Sequence, residues 1–265
     1  MSNIPAEPSR KKSSPPEINN AFYDDLGEKW YTDREGPVAL LRAESRTKIA
    51  WIKALLSEKG LSPSARILDV GCGAGFISNA LAEEGYDVTG IDLSGPSLET
   101  ARRHQPKSKK IAYFQQDALH MDFMPESFDI VLMMDFLEHV DRPAEAVTEG
   151  SRLLKPGGII FYHTFNRNLL SRLVVIKTVE WLTKDCPDHM HVYELFITPQ
   201  ELRNFCDQAD VRVIKETGLM PVFWQWPFWK TIFQRRLDDG FSFTTCSSML
   251  LGYMGMGIKA KRIHQ

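Results

Sequence analysis

The stretch "ILDVGCGAG", Ile67 to Gly75, decides the fold. Its apolar opening reads as a strand buried on both faces, and it ends in three glycines at alternate positions, Gly71, Gly73 and Gly75. Glycine there lets the backbone turn sharply and lets a ligand lie against the main chain, with the N-terminus of the next helix facing an anionic group. The spacing is not that of the dinucleotide fingerprint GxGxxG, whose third glycine comes one residue later, where this chain has Phe76.

Outward from this turn the chain alternates. Upstream, "VALLRAESRTKIAWIKALLSEK" places apolar residues at helical spacing, and Gly60 and Pro63 close it, predicting a leading helix over 38–59. Downstream, short β-rich runs each precede a helical stretch: "RILDV" then "FISNALAEE", "DVTGID" then "SLETARRH", "IAYFQQ", "FDIVLMM" then "RPAEAVTEGSRLL", and "GGIIFYHTF". Ser94 is placed to cap the second of these helices, with Pro96 in its first turn, and "KPGG" at 155–158 stops a helix and opens the fifth strand. Strands alternating with helices imply right-handed βαβ crossovers and a doubly wound, mostly parallel α/β sheet. Beyond Asn166 follow a longer helical stretch, a loop, a helix over 198–209, the strand "VRVIKET" and a last strand in "LLGYMGMGIKAKR", with no internal repeat.

Composition narrows the function classes. With 265 residues, 43% hydrophobic, the chain can bury a sizeable core. A formal net charge of -2 leaves no global positive field to hold nucleic acid, so small or apolar partners are expected and nucleic acid is not. The four cysteines (Cys72, Cys186, Cys206 and Cys246) form no CxxC pair, which argues against a zinc ribbon or disulfide framework and for a reducing, cytoplasmic setting. Residues 1–20, rich in Pro and Ser, read as a disordered tail with no signal-peptide core, and 21–265 as a single domain.

About twenty residues beyond the glycines, "VTGID" finishes the second strand in Asp92, whose carboxylate is placed to accept hydrogen bonds from both hydroxyls of a ribose. Asp117, in "QQDAL" after the third strand, would lie beside an adenine and accept its exocyclic amine; the plainer alternative is a solvated turn residue.

Together "ILDVGCGAG", "VTGID", "FDIVLMMDFLEHV", "LLKPGG" and "FNRN" resemble a class I S-adenosylmethionine-dependent methyltransferase. "LEHV", the "NRN" after the fifth strand and "PDHMHVYELFITPQEL" are similar, more narrowly, to the ubiquinone-biosynthesis O-methyltransferases, over roughly Phe22 to Thr217. The resemblance implies a seven-stranded Rossmann-like sheet with a helical cap. It also implies a cofactor set of Asp69, Gly71, Gly73, Gly75, Asp92, Leu93, Asp117, Ala118 and Met134, with Arg46 on the leading helix reaching the methionine carboxylate; otherwise Arg46 is a solvated helix residue.

The methyl of a sulfonium is already activated, so such an enzyme mainly holds a nucleophile in line and excludes water. A phenol with a pKa near ~10 must lose its proton to a base or a metal. In "MMDFLEHVDRP" a helix starting near Asp135 would put Asp135, Glu138 and His139 on one face. The family pattern E-x-x-E-H implies a metal site here, with Mg2+ as candidate cofactor and Asp135 one methylene short of the usual Glu; the alternative is a positioning role beneath the cofactor. His191 is a further candidate base, or a loop histidine satisfied by backbone, whereas His163, His120 and His104 have no pattern that raises them above surface or core residues.

Two apolar segments bear on the substrate. The stretch 168–183 is too short and too charged to span a bilayer; it reads as a packed lid helix or as an interfacial one that collects a polyprenyl substrate from the inner membrane surface. The aromatic-rich insertion 219–248 suits either a folded core insertion or a membrane interface and apolar channel. O-methylation of a phenolic or catechol hydroxyl on a polyprenylated quinone precursor is the expected reaction. The alternatives are methylation of another small molecule or tRNA, and a non-catalytic S-adenosylmethionine-binding domain.

Overall fold

Consecutive residues of the central strands are apolar, as in "IVLMM" at 130–134, so both faces of the sheet must be covered, and the computed structural model shows how. It describes residues 18–107, 111–178, 191–238 and 240–261; most of the tail and residues 179–183 of the 168–183 segment therefore lie outside the described residues. Strands β1 (Arg66–Val70), β2 (Asp87–Asp92), β3 (Ile111–Gln115), β4 (Phe128–Met134) and β5 (Leu154–Phe165) are parallel. Strands β6 (Val211–Pro221), β7 (Phe243–Cys246) and β8 (Gly252–Lys259) complete an antiparallel edge. The order is β3-β2-β1-β4-β5-β8-β6-β7, eight strands among the described residues rather than the expected seven. The additional strand is β7, which returns from the aromatic segment to pair Leu219 with Thr245 and so satisfies the outer edge of β6.

The period-two pattern of β1 and β4 divides the core. Leu68, Val70, Val131 and Met133 face one way, against Ala146 and Val147 of helix α5 (Pro143–Leu153) and Leu202 and Cys206 of α7 (Pro199–Gln208). Ile67, Ile130, Leu132 and Met134 face the other, against Ile52, Leu55 and Leu56 of α2 (Pro37–Glu58) and Ile77 and Leu81 of α3 (Phe76–Glu83). Each fully buried aliphatic contributes about 1.5–3 kcal/mol of transfer free energy, so this two-sided burial is a main source of the sheet's stability.

Local signals set the ends. Ser94 caps α4 (Gly95–Arg103) by accepting from Ser97 N, and Thr198 with Glu201 forms a capping box on α7. The leading helix begins at Pro37, in the first-turn position proline favours. Before it, the short α1 (Lys29–Thr32) lays Trp30 and Tyr31 over the glycine turn: Tyr31 Oη donates to Ala74 O (2.8 Å) and Trp30 Nε1 to Ser97 Oγ (3.2 Å). This is the helical cap. From the 168–183 segment the structure retains α6 (Leu169–Ser171), which continues as a π-helical stretch to Thr178, and the aromatic segment folds into α8 (Trp226–Gln234) and β7.

Candidate active site

The strand order reverses between β1 and β4, and at their carboxyl ends an open α/β sheet leaves a crevice. Here the crevice is a cavity of about 860 Å³. Its three zones have different chemistry.

The first zone is the glycine turn. Gly71, Gly73 and Gly75 all have left-handed φ, at +70°, +52° and +78°. A Cβ on Gly71 would meet the Phe136 ring at 2.5 Å and one on Gly75 would meet Tyr113 Oη at 2.4 Å, so neither position tolerates a side chain. Asp92 is tied into the turn: Gly73 N donates to its Oδ2 (2.9 Å) and Ser94 N to its Oδ1 (2.8 Å). Burial raises its pKa, and the two backbone donors partly offset that. Asp69, Gly71, Gly73, Asp92, Leu93, Asp117, Ala118 and Met134 all line the cavity, whereas Gly75 shapes the turn from behind. Asp69 accepts from Ser78 Oγ (2.5 Å), and burial lifts its carboxyl to about 7. A backbone cradle that only glycine permits, ending in a carboxylate, fits the nucleoside of S-adenosylmethionine. Seven Asp and Glu side chains and no Lys or Arg line the cavity among the described residues, and those of them that are ionised bias it towards a sulfonium cation.

Arg46 is not among them. Its Nη2 donates to Phe241 O (2.9 Å) and it lines a separate surface pocket with Arg34 and Arg42, so the expected contact with a methionine carboxylate is corrected. The cause is helical phase: Arg46 lies between Ser45 and Thr47, and Thr47 also bonds outward, to Phe243 O.

The second zone is the waist, formed where β4 ends. The expected shared helical face does not form. Asp135 takes a left-handed backbone (φ +56°), a 3-10 turn covers Leu137–His139, and the helix begins only at Pro143. Asp tolerates that conformation better than most residues, and its side chain is fixed from two directions. Lys48 Nζ donates to both of its oxygens, 2.6 Å to Oδ2, and His163 Nδ1 donates to Oδ1 (2.5 Å). Although burial opposes it, the charge of Lys48 beside Asp135 holds that carboxyl well below the usual range. Lys48 is itself wholly buried; burial alone would lower its pKa, but Asp135 and Glu44 more than offset that and raise it.

The expected metal group Asp135, Glu138 and His139 is therefore not the group that forms. Ligand atoms of Asp135, Glu138 and His163 lie within 4.8 Å of one another, with His163 in the place expected of His139. His163 had no local pattern to reveal it: it sits on β5, where parallel pairing with Met134 brings it beside Asp135. Lys48 and Glu44 were equally silent, as ordinary polar residues of a long helix. His139 instead faces the cap and the loop, 5.8 Å from the Tyr23 ring and 6.0 Å from that of His191.

These residues do not fit Mg2+. Both oxygens of Asp135 are already held by an ammonium, a histidine nitrogen is a poor ligand for a hard cation, and a dication would be repelled by Lys48 at short range.

Glu138, 1% exposed, has no hydrogen-bond partner for either carboxylate oxygen among the described residues. Burial raises its pKa to about 8, with the charge of Asp135 adding to the rise. Burial lowers His139 to about 4 and His191 to about 3, so both are neutral near pH 7. Glu138, His139 and His191 all line the cavity.

The third zone is apolar: Phe165, Val174 and Val175 on one side, Leu219, Phe228 and Phe241 on the other.

Comparison with known proteins agrees with this geometry. A family described as "Methyltransferase domain" matches residues 68–162. A ubiquinone biosynthesis O-methyltransferase of Vibrio atlanticus is 36% identical over 199 residues, 74% of this chain and 82% of the relative. One of Actinobacillus pleuropneumoniae is 40% identical over 160 residues, covering 58% and 68%. Among solved structures, a magnesium protoporphyrin IX methyltransferase from Synechocystis PCC 6803 with bound SAH superposes with a TM-score of 0.63 at 15% identity, covering 91% of this chain and 97% of that one. A SAM-dependent methyltransferase from Thermotoga maritima gives 0.61 at 18%, covering 90% and 99%. Those two identities speak for the fold alone. The sequence relatives go further, and with them the chain belongs to the ubiquinone biosynthesis O-methyltransferase family, as an S-adenosylmethionine-dependent enzyme acting on a small molecule.

Proposed function

We propose that the chain methylates a hydroxyl of a phenolic or catechol ring carrying a polyprenyl tail. The observation that carries this is the continuity of one cavity from a nucleoside cradle, through a waist of ionisable groups, to an apolar end. A ring hydroxyl at the waist would have its tail among Val175, Leu219 and Phe228. The relatives' name, ubiquinone biosynthesis O-methyltransferase, supports transfer to an oxygen in the making of a quinone.

S-adenosylmethionine supplies, when bound, a methyl group on a positively charged sulfur. Gly71, Gly73 and Asp92 would hold its nucleoside, with Asp117 and Ala118 along the base and Met134 under the chain leading to the sulfur. Glu138 is the base best matched to the acceptor. Transfer from a phenol of pKa ~10 to a carboxylate near 8 is uphill by about 3 kcal/mol, whereas transfer to an imidazole near 3 or 4 is uphill by roughly 8–10 kcal/mol. His139 and His191, neutral and facing the same space, would orient the ring through hydrogen bonds. The hydroxyl gives its proton to Glu138 and the oxygen lone pair forms the new C–O bond, while the electron pair of the breaking C–S bond returns to sulfur. Burial under the Trp30 cap excludes water from this step.

The cavity mouth suits a lipid-borne substrate. Leu169, Leu170 and Leu173 are exposed just before the cavity-lining Val174 and Val175 in the chain, and Trp224, Trp226, Trp229 and Phe233 are exposed among the lining residues Phe223, Phe228 and Ile232. No described helix is long and apolar enough to cross a membrane; these side chains would instead seat the enzyme peripherally on the inner membrane surface, where aromatic residues are favoured.

The test is methyl transfer from labelled S-adenosylmethionine to a short-chain prenyl catechol, beside an unprenylated catechol and tRNA. Preferential labelling of the prenyl compound is expected. Labelling of tRNA, or cofactor binding with no transfer to either catechol, would defeat the proposal.

A further inference from the structure

The waist carries a cation of its own. Lys48 lies one turn beyond Glu44 on α2, wholly buried, its Nζ on both oxygens of Asp135 and 3.0 Å from Glu44 Oε2. His163, also wholly buried, completes the ring: Nδ1 on Asp135 at 2.5 Å and Nε2 3.7 Å from Glu44 Oε1. Glu44 and Asp135 line the cavity and Lys48 stands behind them.

We propose that Lys48 replaces a divalent cation at this site, so that the enzyme transfers methyl groups without metal, and that it does so as a positioning residue acting through Asp135. This rests on the reading that the acceptor hydroxyl sits at the waist. A phenolate formed there would face Asp135 and Glu44, and two uncompensated carboxylates would hold the hydroxyl protonated. One buried ammonium cancels one of them permanently. It also fixes Asp135 in its left-handed conformation, which turns the following residues so that Glu138 enters the cavity. Lys48 is covalently part of the chain, so the charge is present in every molecule irrespective of metal supply.

The consequence is reciprocal. With Lys48 in place, both oxygens of Asp135 already accept from its ammonium, and a metal bound there would face that cation. Without it, Asp135, Glu138 and His163 are left as three converging donors within 4.8 Å, a set suited to Mn2+.

The experiment uses the full chain, with free Mn2+ followed by electron paramagnetic resonance, cofactor affinity by calorimetry, and turnover of the prenyl catechol in EDTA or with added Mg2+ or Mn2+. For the wild type, Mn2+ is expected to stay free up to about millimolar concentration, and turnover to be the same in EDTA as in Mg2+. Lys48→Met should keep its cofactor affinity within about twofold, lose about tenfold or more in kcat in EDTA, bind Mn2+, and regain part of its activity with it. Lys48→Arg should remain active in EDTA. A merely structural lysine would not make activity metal-responsive when removed.

Stoichiometric Mn2+ binding by the wild type, loss of its activity in EDTA restored by Mg2+, or unchanged kcat in Lys48→Met would each overturn the proposal. If Lys48→Met does not fold, the wild-type titration and Lys48→Arg still decide. If no prenyl catechol is methylated, the functional reading fails separately, because Mn2+ binding is read without any acceptor.

Discussion

Replacing Glu138 by Gln should stabilise the fold while disabling the enzyme. Glu138 is 1% exposed and its two carboxylate oxygens have no partner among the described residues. Burial raises its pKa from the ordinary 4.5 to about 8, so between those values the folded chain holds a proton that the unfolded chain releases. The stability this proton supports is complete below about pH 4.5 and is lost as pH rises through 8, at up to about 1.4 kcal/mol per pH unit. Over the whole window the loss is on the order of a few kcal/mol, with roughly 5 kcal/mol as the ceiling. Gln has the shape of the protonated acid and does not titrate. Urea unfolding of both proteins from about pH 5 to about pH 8 should show curves nearly coincident at the acid end and diverging in favour of Glu138→Gln at the alkaline end. Turnover of the prenyl catechol should fall by about 10²–10⁴ in the same variant, with cofactor affinity unchanged. A stability difference that does not change with pH, or a Glu138→Gln enzyme of full activity, would refute both the burial argument and the choice of base.

Other expectations follow from the same geometry. In the wild type, kcat/KM should rise with pH towards an inflection near 8, where Glu138 becomes ionised, with no histidine inflection near pH 6 because His139 and His191 are neutral from about pH 5 upward; a pH–rate profile checks this. Asp92→Ala removes both the ribose acceptor and the clasp on Gly73 and Ser94, and should weaken cofactor binding by about a hundredfold or more by calorimetry. Arg46→Ala should leave cofactor affinity within about twofold while lowering Tm by a few degrees through loss of the Phe241 contact. Changing Trp226, Trp229 and Phe233 together to Ser should cut co-sedimentation with anionic vesicles while leaving turnover of a detergent-solubilised substrate intact.

The architecture was legible in the sequence because its signals are local. Apolar runs of strand length, the three glycines at alternate positions after β1, and the cap at Ser94 all act within a few residues of themselves. The cofactor zone follows from them, since the ends of β1 and β2 carry Gly71 and Asp92 wherever the rest of the chain goes. The eighth strand was less visible: four residues of the segment thought of as an aromatic insertion form β7 only because β6 offers them an open edge.

The waist belongs to tertiary structure. Asp135, Glu138 and His139 look like one helical face, yet the helix that would align them does not form, because Asp135 is held out of it by Lys48, distant by 87 residues, and by His163, distant by 28. An ion pair of this kind leaves no periodicity, no spacing and no composition in the sequence; it exists only when α2 packs across the end of β4 and β5 lies parallel beside it. The sequence by itself therefore determined which cofactor the chain is built to hold. Only the folded chain decided which groups face the methyl acceptor, because that depends on buried charge brought together from three separate elements.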